Sequence, residues 1–318
     1  MDEGHARSRV RVPRGMADRA REFAAAGLRP AVPRDAATVI LVRPGPEGSG
    51  VEVFLLRRTR ALEFAPGACV FPGGSVDERD ADPAIAEEGW VGPSPADLGQ
   101  LLGIAAERAR ALVCAAVRET FEESGVLLAG PSPAELVRDS PIQDRHALLA
   151  GSLSFGELLS RRGLALRADL LTPWARWITP EISPRRFDTW FFAAALPPGQ
   201  LAGLPREERG DEQSPPRGVW GDGSPQEQGG SGGDRSPRGN TESDSGTWWR
   251  PAAALEAARA GEITLLPPTA VTLAELAAYQ DVAGILGERR VITPLMPTVV
   301  VEDERAWLAM PQATEYPL

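Results

Sequence analysis

The sequence predicts an α/β (α+β) protein, and three observations predict it. Residues 36–43 (AATVILVR) and 51–57 (VEVFLLR) are β-rich, and the Gly/Pro-rich stretch 44–50 joins them as a hairpin. A long helical segment covers 105–124 and ends at Gly125, a favourable residue just past a helix terminus. Two further strands, 175–179 and 187–196, follow helical stretches near 134–150 and 155–163.

The remaining elements fall between these. Residues 17–26 read as helical. Met16 ahead of them is the expected translation start, with 1–15 a disordered overhang. A third short strand, 68–71, ends at Pro72-Gly73-Gly74. The acidic, small-residue stretch 75–94 reads as a loop, and 95–104 as a short helix capped by Ser94. Of the 42 residues from 205 to 246, 21 are Gly, Pro or Ser, too few apolar groups to offset the entropy of ordering them, so disorder is expected there. Folded signals resume at Thr247-Trp248-Trp249, followed by helices over 251–260 and 268–279. A lone strand and a few helices make a poor independent core, so 205–246 is read as an insertion rather than a linker between domains.

Composition narrows the function. At 318 residues and 42% hydrophobic, the chain can bury a substantial core. No apolar run approaches the roughly 18 residues that span a bilayer. The Arg-rich start lacks an apolar stretch, which excludes a secretory signal, and Asp2, Glu3, Asp18 and Glu22 interrupt the basic residues as a mitochondrial presequence would not. The expectation is a cytoplasmic protein with no membrane partner. The basic residues apart from the two histidines are all arginine, and the net charge of −10 argues against a nucleic-acid partner. Cys69 and Cys114 have no ligand-like spacing and read as reduced core thiols. His5 and His146 have no partner pattern, and the tryptophans Trp174, Trp177, Trp190, Trp248 and Trp249 read as core.

The chemistry sits on the 105–124 helix. At about 100° per residue, Glu119, Glu122 and Glu123 share one face, while Val113, Val117 and Phe121 lie opposite and can pack on a sheet. Three acids alone would sooner suit a solvated surface helix. Like charges at i,i+4 repel unless a counter-ion intervenes, and a divalent cation such as Mg²⁺ prefers a few carboxylates plus waters and phosphates. Arg118 stands at i,i+4 to Glu122 and can fix its rotamer.

The run Arg118-Glu119-Thr120-Phe121-Glu122-Glu123-Ser124-Gly125-Val126 resembles the second half of the Nudix box. That box is a glycine, five residues, a glutamate, seven residues, then Arg-Glu-apolar-x-Glu-Glu-x-Gly-apolar. Phe71-Pro72-Gly73-Gly74 is similar to its opening. Here 43 residues separate Gly74 from Arg118, so an insertion (75–106) splits the box, and Glu107 or Asp77 is the candidate for the middle glutamate. Split boxes occur in the coenzyme A diphosphatase branch of the Nudix hydrolases. Gly67 to Gly74 resembles the end of that branch's substrate signature. Where the signature has an arginine this chain has Glu63, with Arg57, Arg58 and Arg60 as displaced candidates. Trp177-Ile178-Thr179-Pro180, Arg185-Arg186-Phe187-Asp188-Thr189 and Ala260-Gly261-Glu262-Ile263 also resemble segments of that subgroup.

The resemblance implies a Nudix fold, a mixed β-sheet sandwiched between helices. It divides the chain into an N-terminal extension (1–30), partly disordered, a Nudix domain (31–280) and a C-terminal extension (281–318). It implies Mg²⁺ or Mn²⁺ on Glu119, Glu122 and Glu123 with the Gly73 carbonyl. Arg57, Arg58, Arg60 and Gly74 would meet the substrate phosphates. Arg118, Glu119, Glu122 and Glu242 are the catalytic candidates, with the general base open among the three glutamates. The substrate implied is a small-molecule nucleoside diphosphate derivative, coenzyme A or acyl-CoA first, with ADP-ribose or NADH as the alternative. A non-catalytic Nudix-fold binding or regulatory domain is the reading from a different class, and a homodimer is admitted.

Overall fold

The computed structural model describes residues 9–11, 14–60, 65–83, 85, 89–139, 141–204, 243–302, 305–311 and 314–318. Residues 205–242, with Glu242 among them, Glu63 and most of 1–15 lie outside these residues. The described parts of the two stretches expected to be disordered are instead ordered: 243–246 and 9–11 are strand, and the first helix starts at Arg14.

Residues Arg9–Arg11 form strand β1 and Arg14–Ala25 helix α1. Strands β2 (Arg34–Pro44) and β3 (Val51–Arg58) make the expected hairpin. Strand β4 (Ala68–Val70) stops one residue short of the expected strand. The two glycines after it are no mere turn: they open strand β5 (Gly73–Ser75). Nor is 75–94 a plain loop. It holds a one-turn helix at Glu78–Ala81 and strand β6 (Trp90–Val91). Reciprocal hydrogen bonds between Asp77 and Asp80 cap that turn, a local pairing the acidic composition obscured.

Helix α2 (Pro95–Leu102) starts at Ser94, whose hydroxyl accepts the Asp97 amide while Asp97 returns the bond. Helix α3 (Ala106–Ser124) ends at Gly125, which takes φ 75°, a conformation that penalises any side chain. Strand β7 (Ala129–Gly130) follows. The helix expected over 134–150 is shorter, α4 (Ile142–Leu149). Pro141 disfavours a helical conformation in the residue before it, so the helix begins after that proline. Helix α5 (Phe155–Arg162) and strands β8 (Ala165–Arg167), β9 (Thr172–Ile178) and β10 (Phe187–Ala195) come next. After them lie β11 (Ser243–Trp249), α6 (Pro251–Arg259), β12 (Thr264–Leu265) and α7 (Pro267–Leu276). The chain closes with α8 (Val282–Gly287), β13 (Pro294–Leu295), β14 (Thr298–Glu302) and β15 (Arg305–Ala309).

The main sheet has the order β12-β4-β3-β2-β10-β9-β13, with β11 also on β3 and β5 also on β2. It is mixed: β10 runs parallel to β2 over nine residue pairs and antiparallel to β9. Alternation along the strands divides the core in two. Ala37, Val39 and Leu41 of β2, with Phe54 and Leu56 of β3, face one layer built on α3 with α2 and α5. Ile40, Val42, Val53 and Leu55 face the other layer, which holds α6, α7, α8 and the end of the chain through Leu308 and Met310. A mixed sheet sandwiched between helices results. Strand β1 pairs with β15, so residues 9–11 and 305–309 share a small separate sheet. Trp174, Trp177 and Trp190 are buried, as their apolar bulk predicts. Cys69 and Cys114 are buried free thiols, and burial pushes both upward in pKa.

Candidate functional site

Helix α3 lies against β2 and β5, and its C-terminal half carries the acids. Val113, Val117 and Phe121 seat it on the sheet, all essentially inaccessible. The helix is more enclosed than a two-faced pattern suggests, for Ala109, Leu112, Cys114, Ala115, Ala116 and Thr120 are buried as well. The Glu119 and Glu122 side chains retain only 14% and 16% of their exposure. A solvated surface helix is thereby excluded.

Strand β5 covers this face. Gly73 and Gly74 pair with Thr38 and Ala37 of β2, and the Val39 amide donates to the Pro72 carbonyl at 2.9 Å. Any side chain at Gly73 would meet the Ala37 carbonyl oxygen at 2.5 Å, and one at Gly74 would collide with the Glu119 carboxylate. Both glycines are therefore required by close approach. The Gly73 amide donates to Glu123 Oε2 at 2.8 Å, which joins the two halves of the split motif across 50 residues.

Arg118 organises the centre. Its guanidinium donates to both oxygens of Asp80 at 2.9 and 2.8 Å, to Glu119 Oε1 at 2.8 Å and to the Ser75 carbonyl at 3.0 Å. Glu122 is a longer contact of the same Arg118 Nη1, at 3.4 Å. The expected i,i+4 pair exists, but it is the weakest of Arg118's bonds. One cation thus serves three carboxylates, and they are incompletely balanced. Burial drives Glu119 up to about 7, with Arg118 opposing and Glu122 and Asp80 adding to the rise. Glu122 is raised too, by burial first with Asp80 adding to it, while Arg118 and Arg79 oppose the rise. Burial alone would lower Arg118, but Asp80, Glu119 and Glu122 outweigh it and hold it upward.

Asp80 was missed from sequence, and it corrects the choice of Glu107 or Asp77. Glu107 is exposed in the first turn of α3, and Asp77 caps the turn at Glu78–Ala81. Asp80 is 1% exposed and holds Arg118 with both oxygens. A signal for it was present. Counting forward from Gly74, five residues intervene before Asp80, the spacing of the middle glutamate in the Nudix box. Counting back from Arg118 hid it, because the insertion falls after Asp80.

The arginine candidates scatter. On β3, Phe54 and Leu56 face the α3 layer, so alternation puts Arg58 on that side and Arg57 on the other, opposite Cys69. Arg60 lies just past the strand beside Gly67. Glu242 lies outside the described residues. Glu122, with Asp80 and Arg118, borders an opening whose other wall includes Leu148, Leu153 and Phe155.

Among the described residues, no three His, Cys, Asp or Glu side chains are already gathered around one metal position. The donors nonetheless suit a hard divalent cation: three glutamates within two turns, two of them raised in pKa by burial first, with neighbouring carboxylates adding to it. No helix among the described residues is long and apolar enough to cross a membrane.

No family model matches the sequence. The chain is 26% identical over 293 residues to the acyl-coenzyme A diphosphatase NUDT19 of Gallus gallus, covering 78% of this chain and 69% of that protein. It is 30% identical over 186 residues to the protein of the same name in Homo sapiens, covering 48% and 49%. The chain thus spans about half the length of the human relative. A crystal structure of a Nudix hydrolase from Alicyclobacillus acidocaldarius superposes with a TM-score of 0.61 at 26% identity, covering 82% of this chain and 98% of that one.

Proposed function

We propose that this chain, a member of the Nudix hydrolase superfamily, hydrolyses the diphosphate bond of a nucleoside diphosphate linked to another moiety, with coenzyme A or an acyl-CoA as substrate. The observation that carries the reading is the closure of the split motif: Gly73 and Gly74 lie directly on Glu123 and Glu119. The relatives named acyl-coenzyme A diphosphatase support the substrate class.

Glu119, Glu122 and Glu123, with the Gly73 carbonyl, would hold Mg²⁺ or Mn²⁺. When bound, the ion supplies positive charge to the phosphoryl oxygens and acidity to an attacking water. The chain's own residues do the rest. Arg118, bonded to Asp80 of the Glu78–Ala81 turn and to the Ser75 carbonyl of β5, locks the helix to both, so the carboxylates are positioned before substrate arrives. Glu119 is packed against Gly74 and bonded to Arg118, which leaves it little freedom. Glu122 borders the opening and has the longer Arg118 contact, so Glu122 is the general base we favour. It would take a proton from water as the water oxygen bonds to phosphorus. The bridging P–O bond breaks as the new one forms, its oxygen leaving on the second phosphate, so that each product carries one phosphate monoester from the diphosphate.

The test is a substrate panel. Purified protein with Mg²⁺ or Mn²⁺ is offered coenzyme A, ADP-ribose and NADH. Turnover of coenzyme A that Glu122→Gln abolishes is expected. Turnover of ADP-ribose alone would replace the substrate, and none on any diphosphate would remove the enzymatic reading.

A further inference from the structure

The C-terminus of α3 ends beside an arginine that the motif does not contain. A helix leaves its last carbonyls without intrahelical partners. Here Phe121 O accepts the Gly125 amide at 2.9 Å, and Ser124 O accepts the Gly203 amide at 2.8 Å. Glu122 O accepts Arg145 Nε at 3.0 Å, from 23 residues downstream. The carbonyl of a proposed metal-holding residue is thus held by a side chain of α4.

Arg145 is an unusual group to find there. It is 4% exposed, and its Nη2 is buried with no hydrogen-bond partner among the described residues. Burying a guanidinium without full pairing is costly, and an arginine in a core is ordinarily paired. Burial pulls it down to about 10, and the charges acting against that are Glu123 first and Glu122 second. It remains a cation at neutral pH. The neighbouring acid Asp144 is engaged elsewhere, with Arg162 at 2.6 Å. The same helix carries Leu148 to the opening that Glu122 borders. So α4 both walls that opening and grips the turn bearing its carboxylate.

We propose that Arg145 is a positioning residue for the metal-holding turn: its hydrogen bond to the Glu122 carbonyl fixes the backbone from which Glu122 and Glu123 project. The proposal rests on the metal reading above. It has a distinctive sign. A positive charge beside two ligand carboxylates repels a divalent cation, so if Arg145 were only a nearby charge, its removal would tighten metal binding. If it positions the turn, removal weakens binding, by about 10–100-fold for an outer partner of a metal ligand.

The experiment is a titration of the full chain with Mn²⁺, without substrate, reading free Mn²⁺ by electron paramagnetic resonance. Arg145→Met keeps much of the volume and removes both charge and bond. Arg145→Lys keeps the charge and loses the planar donor geometry. Weaker Mn²⁺ binding in both, with faster amide exchange confined to residues 122–125, is the expected result. Should Arg145→Met fail to fold, Arg145→Lys carries the test by the same readouts. Unchanged or tighter Mn²⁺ binding in a folded variant overturns the proposal and leaves the metal reading standing. Absence of Mn²⁺ binding by the unmutated chain removes both.

Discussion

Helix α3 carries two arginine–carboxylate clusters ten residues apart, and they are built to opposite ends. Near its start, Arg108 donates to Asp35 of β2 through Nε and Nη2, and through Nη2 to Asp188 of β10 at 2.7 Å. Arg176 of β9 bonds the same Asp188 at 2.8 and 2.6 Å. Two cations meet two acids. Burial raises Asp188, but its bonds to Arg176 and Arg108 win and hold it below the ordinary carboxylate range. Near the other end, Arg118 is bonded to Asp80, Glu119 and Glu122, Arg145 lies behind Glu122 and Glu123, and burial still drives Glu119 and Glu122 upward. The balanced cluster pins the helix across three strands. The unbalanced one is left short of positive charge where a cation and a phosphate would enter. Identical residue types thus give a structural joint or a candidate site according to their stoichiometry.

The sharpest way to break this contrast is to neutralise one acid at each end. Glu122→Gln should cut turnover by about 10²–10⁴-fold, as loss of a general base does, with little change in thermal midpoint. Asp188→Asn should do the reverse. It leaves Arg176 and part of Arg108 uncompensated in a half-buried joint, costing on the order of 3 kcal/mol in a urea melt while the folded fraction keeps its specific activity. If Asp188→Asn abolished activity without destabilising the fold, the division of labour would be wrong.

A smaller effect is expected at Gly74. Gly74→Ala pushes a methyl into the Glu119 carboxylate, so metal affinity measured by calorimetry should fall by about 10-fold, with a stability loss on the order of 1 kcal/mol. A full-affinity Gly74→Ala would mean that β5 does not define the carboxylate positions.

The smallest effect concerns pH. Glu119 is raised above its unfolded value, so its contribution to stability is complete below about pH 4.5 and is lost as pH climbs through about 7. Asp188 is lowered, so its contribution is present above about pH 4 and is lost as pH falls further. Metal-free protein should therefore lose stability on the order of 1 kcal/mol between pH 5 and 8, and saturating Mg²⁺ should reverse that slope. A metal-free slope of the opposite sign would contradict the unbalanced cluster.

What was legible from sequence was local. The glutamates of α3, the Gly125 terminus and the β2–β3 hairpin all follow from spacing within a few residues. The Phe71–Gly74 run was legible as a motif, and its contact with Glu119 and Glu123 followed only from the family pattern. Asp80 was legible in principle, by counting forward from Gly74, but the insertion after it broke the count from the other side. Arg145 was not legible, because its bond to Glu122 depends on how α4 docks rather than on any spacing. Nor was the full burial of α3, since small residues such as Ala109, Ala115 and Ala116 suit either a packed or an exposed surface. The parallel pairing of β10 with β2 joins segments some 150 residues apart and rests on tertiary packing alone.

The acid-rich end of α3 is proposed to hold a divalent cation. Calorimetric titration of Mg²⁺ into the unmutated chain, Asp188→Asn and the triple variant Glu119→Gln, Glu122→Gln, Glu123→Gln tests it directly. Saturable binding is expected in the first two, run below the melting point of Asp188→Asn, and none in the triple variant. Equal binding heats in all three, or no binding in the unmutated chain, would contradict it.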